Sequence, residues 1–161
     1  MTLVSYARML TPNTIRVVSI CVFRNNGRIL AYEGFDSVKN ERFYRPLGGT
    51  VHFGERAADA VAREIREELQ GEITDIRQLG VLENLFTCDG QEGHEVIFVF
   101  DATFVDRSLY SRDVIYGSEP ERAARGKDPG LRAVWLGAGA QRHNSCPVYP
   151  VGLLELLAEA T

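Results

Sequence analysis

Residues 48–71 read GGTVHFGERAADAVAREIREELQG, and most of the fold and function predicted from the sequence depends on this stretch. Residues 55–69 are strong helix formers without an internal glycine or proline, which predicts a helix. Gly71 follows where a helix commonly ends in a left-handed turn. At about 100° of rotation per residue, one face of this helix is apolar, and we expect it to pack on a sheet. That face comprises Ala58, Val61, Ala62, Ile65 and Leu69.

Three glutamates crowd the flank of the apolar face. Glu64 and Glu68 lie one turn apart, and Glu67 lies next to both. Like charges at this spacing cost roughly 0.2–0.5 kcal/mol, and acidic groups near a helix C-terminus cost about 0.3–1 kcal/mol. A divalent cation bound by oxygen ligands would reverse both penalties. The alternative is a solvated acidic face, which is the commoner explanation of an isolated REIREE segment.

The residues around the glutamates favour the metal site. Gly48 and Gly49 predict a sharp turn that brings a backbone carbonyl close to the carboxylates. Glu55 begins the predicted helix, where its charge suits the helix dipole, and it could pair with Arg63. Arg63 could instead be an ordinary exposed arginine. The spacing alone leaves both alternatives open.

The segment resembles the signature of the Nudix hydrolases, G-x5-E-x7-R-E-U-x-E-E-x-G-U, in which U is a bulky aliphatic residue. The motif glycine falls on Gln70 and the next aliphatic position on Gly71, so we expect the helix to run one residue longer before it stops. The order of the other predicted elements is also similar to the family over nearly the whole chain. The positions that match in register are Gly49, Glu55, Arg63, Glu64, Ile65, Glu67 and Glu68.

This resemblance implies a fold and an activity. The fold would be an α/β/α sandwich with a mixed, partly antiparallel sheet, formed by a single domain over residues 1–161. The activity would be hydrolysis of a diphosphate linkage in a nucleotide-type small molecule, either a nucleoside diphosphate joined to another moiety or a nucleoside triphosphate. The cofactor would be Mg²⁺, or Mn²⁺ in its place.

The resemblance also implies roles for individual residues. Glu64 and Glu68 would be the principal metal ligands, with the carbonyl of Gly48 as a third. Glu67 would be a further ligand or the general base, while Arg63 would orient a glutamate and Glu55 would support it. Because family members differ in their base, other carboxylates remain candidates, and these are Glu92, Glu119 and Glu121. His94 and Glu95 also precede a predicted strand, but an imidazole without an identified partner is more often a strand-end polar residue.

The substrate is defined less well than the metal site. Phe43 and Tyr44 could stack a base and Arg28 and Arg45 could contact phosphates, although such residues more often belong to the core or the surface. Residues 85–88, LFTC, lack both the proline that in the family suggests ADP-ribose and the tyrosine that suggests dinucleoside polyphosphates. We therefore expect a small-molecule nucleotide without naming it.

Composition excludes several other classes. The net charge of -4 argues against a nucleic-acid polymer as partner. No apolar run is long enough to span a bilayer, so we expect no membrane association. The three cysteines form no C-x-x-C pair, which predicts a reducing, cytoplasmic location. A homodimer is compatible with the family resemblance.

Patterns outside the helix predict strands. Residues 14–24 and 28–32 form a predicted hairpin around the turn Asn25-Asn26-Gly27, followed by a loop over 35–41. Residues 95–104 are the most apolar and should lie inside their sheet. Further strands are predicted at 73–76, 79–86 and 131–136, with a long loop holding a short helix at 106–130 and a C-terminal helix at 151–160.

Three rival functions are weighed against a hydrolase. A non-catalytic nucleotide sensor on the same fold has less need of three crowded glutamates. An isoprenoid diphosphate isomerase needs a cysteine in a dedicated setting, which Cys21, Cys88 and Cys146 do not show. A purely structural domain leaves the acidic cluster unexplained.

Overall fold

The computed structural model of the chain describes residues 13–119, 130–137 and 146–160. The helices are α1 (Ala57–Leu69) and α2 (Leu153–Glu159), and a 3₁₀ helix covers Arg107–Ser111. The strands are β1 (Ile15–Val22), β2 (Arg24–Asn25), β3 (Arg28–Asp36), β4 (Glu41–Arg45), β5 (Leu47–Thr50), β6 (Ile73–Cys88), β7 (Gln91–Phe104), β8 (Val114–Ser118) and β9 (Gly130–Leu136).

The strands form two sheets, which we call the mixed sheet and the antiparallel sheet. The mixed sheet has the order β5-β1-β7-β6, in which β1 and β7 are parallel and the other neighbours antiparallel. The antiparallel sheet has the order β2-β3-β9-β8, with β4 also paired to β3. The apolar β7 lies inside the mixed sheet, as its composition predicts. The mixed α/β class expected from the sequence is confirmed.

The two helices cover opposite faces of the mixed sheet. Successive residues of a strand point to opposite faces. Cys21 accordingly packs in the cluster that holds Val61 and Ile65 of α1, whereas Ile20 packs in the cluster that holds Leu153 of α2. Both clusters also include residues of the antiparallel sheet, so both helices and both sheets contribute to the hydrophobic core.

Helix α1 ends at Leu69 as predicted, but it begins later than predicted and its left-handed residue is not Gly71. It begins at Ala57, so Glu55 precedes it in the connecting turn. It ends at Leu69, and Gln70 adopts the left-handed conformation with φ of 55°. The left-handed stop therefore falls on Gln70, and its predicted position at Gly71 was wrong. Gln70 takes the positive φ at the position where the family motif has a glycine.

The predicted turn at Gly48 and Gly49 is instead part of strand β5. Gly48 pairs with Ile20 and Gly49 with Ser19 of β1. A Cβ on Gly48, whose φ is 143°, would overlap the carbonyl oxygen of Ser19 and lie 2.7 Å from the Cα of Ile20. Gly48 thus permits close approach of β5 to β1, and Gly49 leaves room for the side chain of Glu64. Neither role requires a turn.

Other boundaries also differ. The strands predicted at 73–76 and 79–86 are one strand, β6, with irregular register between Thr74 and Arg77 and between Gln78 and Gly80. Strands β3 and β4 extend into the predicted loop at 35–41, and β8 lies inside the predicted loop at 106–130, together with the expected short helix. No helix in the described ranges is long and apolar enough to cross a membrane.

Candidate active site

Two of the three crowded glutamates are buried between α1 and the sheets. Glu64 is 7% exposed and Glu68 is 5% exposed. Glu64 lies against β5, because a Cβ on Gly49 would be 2.5 Å from each of its carboxylate oxygens. Only a glycine can stand there without moving the carboxylate. The one-turn spacing predicted from the sequence therefore does bring Glu64 and Glu68 together beneath the helix.

Glu68 is held in an unusual electrostatic setting. Its Oε2 is buried and has no hydrogen-bond partner among the described residues. Burial raises the pKa of Glu68 well above its ordinary value, and the nearby carboxylates of Glu119 and Glu64 raise it further. A backbone hydrogen bond from Gly48 and the charge of Arg45 lower the pKa only in part. A positive charge at this position would relieve the buried acidic group.

Arg63 connects the start of the motif to the glutamates. Its Nε and one Nη atom donate to the two carboxylate oxygens of Glu55 at 2.8 and 3.1 Å. The same guanidinium donates to Glu64 at 2.9 Å and to the carbonyl of Thr50 at 2.9 Å. The hydrogen bonds from Arg63 lower the pKa of Glu55 to about 2. The pairing of Glu55 with Arg63 considered from the sequence is present, and through it Arg63 fixes the position of Glu64.

Glu67 differs from its neighbours in exposure. Its side chain is 39% exposed and lies 3.3 Å from an Nη atom of Arg63. It therefore stands on the solvent side of Arg63, whereas Glu64 and Glu68 stand on the buried side. The sequence placed all three carboxylates on one flank, but the structure separates Glu67 from the buried pair.

The alternative bases are distributed over several places. Glu119 follows β8 and lies close enough to Glu68 to raise its pKa. Glu92 is exposed near the start of β7, and Glu121 lies outside the described residues. His94 is 2.8 Å from Glu83 at the surface. Of the described candidates, Glu119 is the one whose charge acts directly on the buried cluster.

Sequence reasoning missed Arg16 and Tyr32 near this cluster, and it named Arg45 and Glu95 without recognising that they form an ion pair. Arg16 and Arg45 both contact the fully buried Glu95, at 2.6 and 3.4 Å. Tyr32 pairs with Arg45 across β3 and β4, and burial together with the charges of Glu119 and other carboxylates raises its pKa well above its ordinary value. The available signal was Glu95, a glutamate at the start of the apolar part of β7. The sequence could not show its partners, because Arg16 and Arg45 lie on other strands.

The predicted substrate residues separate into two sets. Phe43 and Arg45 line a cavity between the two sheets. Tyr44 lies between them in sequence and points the other way, where it packs against the cluster around Leu153. Arg28 begins β3, about 26 Å along the strand from Asp36 at the cavity, at roughly 3.3 Å per residue. The structure therefore does not bring Tyr44 and Arg28 together with the other two.

The residues present fit a divalent cation, although the ligand set is incomplete in this conformation. The described residues contain no group of three or more His, Cys, Asp or Glu side chains arranged to hold a metal ion. The unpartnered Oε2 of Glu68, the adjoining Glu64 and the charge of Glu119 nevertheless supply hard oxygen donors. Their mutual repulsion is what such an ion would remove.

Comparison with known proteins identifies the same region. The family model described as NUDIX domain matches residues 13–123. This match supports hydrolase activity and the general use of divalent metals.

Similar folds occur in solved structures. The MutT NUDIX hydrolase from Burkholderia pseudomallei is 22% identical with a TM-score of 0.62, covering 92% of this chain and 100% of that one. The NUDIX hydrolase from Nitrosomonas europaea is 18% identical with a TM-score of 0.62, covering 91% and 88%. The ORF135 protein of E. coli is 18% identical with a TM-score of 0.52, covering 91% and 89%. At these identities the likeness shows the shared fold.

Proposed function

Because this chain belongs to the Nudix family, we propose that it hydrolyses a diphosphate linkage in a nucleotide-type small molecule with the help of Mg²⁺. The observation that carries the proposal is the buried pair Glu64 and Glu68, in which one oxygen of Glu68 has no partner among the described residues. A helix whose only function was structural would gain stability by losing one of these charges.

The proposed ligands follow from this pair. Glu64 and Glu68 would hold the ion, with the carbonyl of Gly48 beside them and Glu67 adding an oxygen from the solvent side. Mn²⁺ could take the place of Mg²⁺ because both prefer oxygen donors. When bound, the ion would offset the negative charge of the phosphates and activate water.

The protein's own groups have distinct tasks in this proposal. Arg63 holds the carboxylate of Glu64, and Glu55 holds Arg63 in turn, so these two residues set the geometry. Glu119 is the best placed of the described base candidates to accept a proton from water, since its charge reaches Glu68. Glu67 is the second candidate, because it is exposed and bonded to Arg63. Arg45, between the cavity and Glu68, would contact a phosphate.

A substrate screen tests the proposal. The purified protein would be incubated with nucleoside triphosphates, nucleoside diphosphates and nucleotide sugars in Mg²⁺, Mn²⁺ or EDTA, with product analysis by chromatography. We expect turnover that requires a divalent ion and falls at least 100-fold in Glu68→Gln. The matched control is Glu72→Gln, an exposed glutamate paired with Arg66 just beyond the same helix.

Two results would contradict the proposal. Turnover that continues in EDTA, or that survives Glu68→Gln unchanged, would remove the carboxylate pair from the mechanism. Tight nucleotide binding without turnover would instead support a nucleotide sensor.

A cytoplasmic location, the absence of polymer and membrane partners, and a homodimer remain proposals that localisation and light-scattering measurements would test.

A further inference from the structure

A glutamate lies fully buried in the apolar strand β7. Glu95 has no exposed surface, and the next two residues that point to the same face of the sheet, Ile97 and Val99, are buried and apolar. Removing an ionised carboxylate from water is costly even when partners compensate its charge. An apolar residue would pack at this position without that cost, so stability alone does not explain Glu95.

Two arginines from different sheets compensate this carboxylate, and we call the three residues the Arg16–Glu95–Arg45 triad. Arg16 of β1 donates to Oε1 of Glu95 at 2.6 Å, and Arg45 of β4 donates to Oε2 at 3.4 Å. The arginine side chains are only 14% and 7% exposed, so the charges interact strongly in a setting of low dielectric constant. Arg16 makes the close contact and Arg45 makes the longer one.

Arg45 also faces the candidate metal site. It stands three residues before Gly48, whose backbone N–H donates to Glu68, and its positive charge lowers the pKa of Glu68. Oε2 of Glu68 is nevertheless buried without a hydrogen-bond partner in the described part of the chain. The guanidinium of Arg45 therefore donates to Glu95 and leaves this oxygen of Glu68 unpaired.

The choice of partner by Arg45 has a physical reason. A guanidinium beside a buried carboxylate gains a strong charged hydrogen bond when the two groups pair. Arg45 lies between two such carboxylates, and Arg16 fixes the one on Glu95 as an acceptor. If Glu95 lost its charge, the guanidinium of Arg45 would turn towards Glu68 and occupy the oxygen that the proposed metal ion needs.

We propose that Glu95 is a positioning residue, which holds Arg45 away from Glu68 and thereby keeps the carboxylate of Glu68 open for a divalent cation. The inference rests on the proposed function, in which Glu68 binds the ion. Arg16 fixes the Glu95 carboxylate in this arrangement. The triad allows an arginine to stand beside the substrate phosphates without neutralising a metal ligand.

Magnesium binding to the protein without substrate tests the role of Glu95 separately from turnover. Calorimetry would measure the dissociation constant of Mg²⁺ for the wild type, Glu95→Gln, Arg45→Gln and the double variant Glu95→Gln/Arg45→Gln. Thermal unfolding would establish that each protein is folded. The matched control is Glu83→Gln, because Glu83 lies opposite Val96 on the other face of the sheet and its exposed carboxylate is 2.8 Å from His94.

Glu95→Gln should weaken Mg²⁺ binding by about tenfold or more, because Arg45 then forms a charged hydrogen bond with Glu68. Arg45→Gln should bind Mg²⁺ at least as tightly as the wild type, since the competing cation is absent. The double variant should return to within about threefold of the wild type, a recovery that general damage to the fold would not produce. Glu83→Gln should bind Mg²⁺ like the wild type.

If Glu95→Gln does not fold, Glu95→Asp replaces it in the single and the double variant. It keeps the charge but withdraws the carboxylate from Arg45, so it should weaken Mg²⁺ binding by about threefold, and Arg45→Gln should again reverse the loss. Unchanged Mg²⁺ binding in the Glu95 variant would overturn the inference. A loss that persists in the double variant, or that also appears in Glu83→Gln, would overturn it as well.

The two proposals can be told apart by these measurements. A wild type that binds no Mg²⁺ would reject the proposed function, and the inference with it. Mg²⁺ binding and hydrolysis that disappear in Glu68→Gln but do not respond to the Glu95 variants would keep the function and reject the positioning role.

Discussion

A Cβ atom on Gly49 would lie 2.5 Å from both carboxylate oxygens of Glu64, so strand β5 and helix α1 meet at a point where only a glycine fits. The position of the Glu64 carboxylate therefore depends on strand β5 as well as on helix α1. Arg63 fixes it from the other side with a hydrogen bond of 2.9 Å. Glu64 is held between these two contacts.

Gly49→Ala should consequently displace Glu64 while leaving most of the fold intact. We expect kcat/KM to fall about tenfold or more, since small misplacement of a catalytic group is costly, together with weaker Mg²⁺ binding. Steady-state kinetics and a magnesium titration would measure both effects. Gly71→Ala is the matched control, because its nearest neighbour would be Leu109 at 3.9 Å. Equal kcat/KM and equal Mg²⁺ binding in the two variants would show that the contact between Gly49 and Glu64 does not affect function.

Glu68→Gln should raise the stability of the metal-free protein although it lowers the activity. In metal-free buffer we expect the variant to melt higher than the wild type. The substitution replaces a buried carboxyl group, one oxygen of which has no hydrogen-bond partner among the described residues, and so removes its repulsion with Glu64 and Glu119. A gain of about 1 kcal/mol would correspond to roughly 2–4 °C. Added Mg²⁺ should raise the melting temperature of the wild type and leave that of the variant almost unchanged. Equal stabilisation of both proteins by Mg²⁺ would contradict the assignment of Glu68 as a ligand.

The Glu55–Arg63 pair should contribute to acid stability. Arg63 lowers the pKa of Glu55 from 4.5 to about 2. A lowered carboxyl pKa stabilises the folded state fully above the unfolded value and is lost as pH falls through the folded value. The difference in unfolding free energy between the wild type and Glu55→Gln should therefore be largest above pH 4.5 and shrink towards pH 2. Urea unfolding at a series of pH values would measure it, and a difference independent of pH would rule out the ion pair as its source.

Gln70→Gly should stabilise the protein without altering catalysis. Gln70 has φ of 55° at the end of α1, a conformation that costs a residue with a side chain about 1 kcal/mol more than glycine. The expected gain is about 0.5–1 kcal/mol in unfolding free energy, with kcat unchanged. Gln70→Ala keeps the side-chain penalty and should show no gain. A gain of the same size in both variants would mean that the left-handed backbone is not its cause.

The helix could be predicted because its information is local. Its apolar spacing placed Val61 and Ile65 correctly in the core, and the one-turn interval placed Glu64 and Glu68 together. The last residue, Leu69, was also predicted correctly, whereas the start was placed two residues early and the left-handed stop one residue late. Gln70 occupies the left-handed position although glycine was available one residue later.

The surroundings of the glutamates could not be predicted, because they depend on strand register. Asn84 lies opposite Glu95 across β6 and β7, and Arg16 lies opposite Glu95 across β1 and β7. These three residues form one row on the mixed sheet although they are far apart in sequence. The paired glycines at 48–49 were misinterpreted for a related reason, because the contact of Gly48 with β1 and that of Gly49 with Glu64 are tertiary contacts. Strand β8 is short and carries Gly117, so its pattern is weak.

The division of the chain into two sheets has a consequence for catalysis. Gly49 and Asn84 belong to the mixed sheet, whereas Tyr32 and Arg45 belong to the antiparallel sheet. In the proposed function, the metal ligands on α1 and the phosphate contact of Arg45 would therefore be positioned together only when the two sheets are correctly aligned. The stacked rings of Phe23 and Phe104, 3.7 Å apart, belong to the apolar cluster that joins the sheets. A small shift between the sheets would leave each sheet folded but the candidate site misaligned, so the packing of this apolar cluster sets the geometry that the proposed reaction needs.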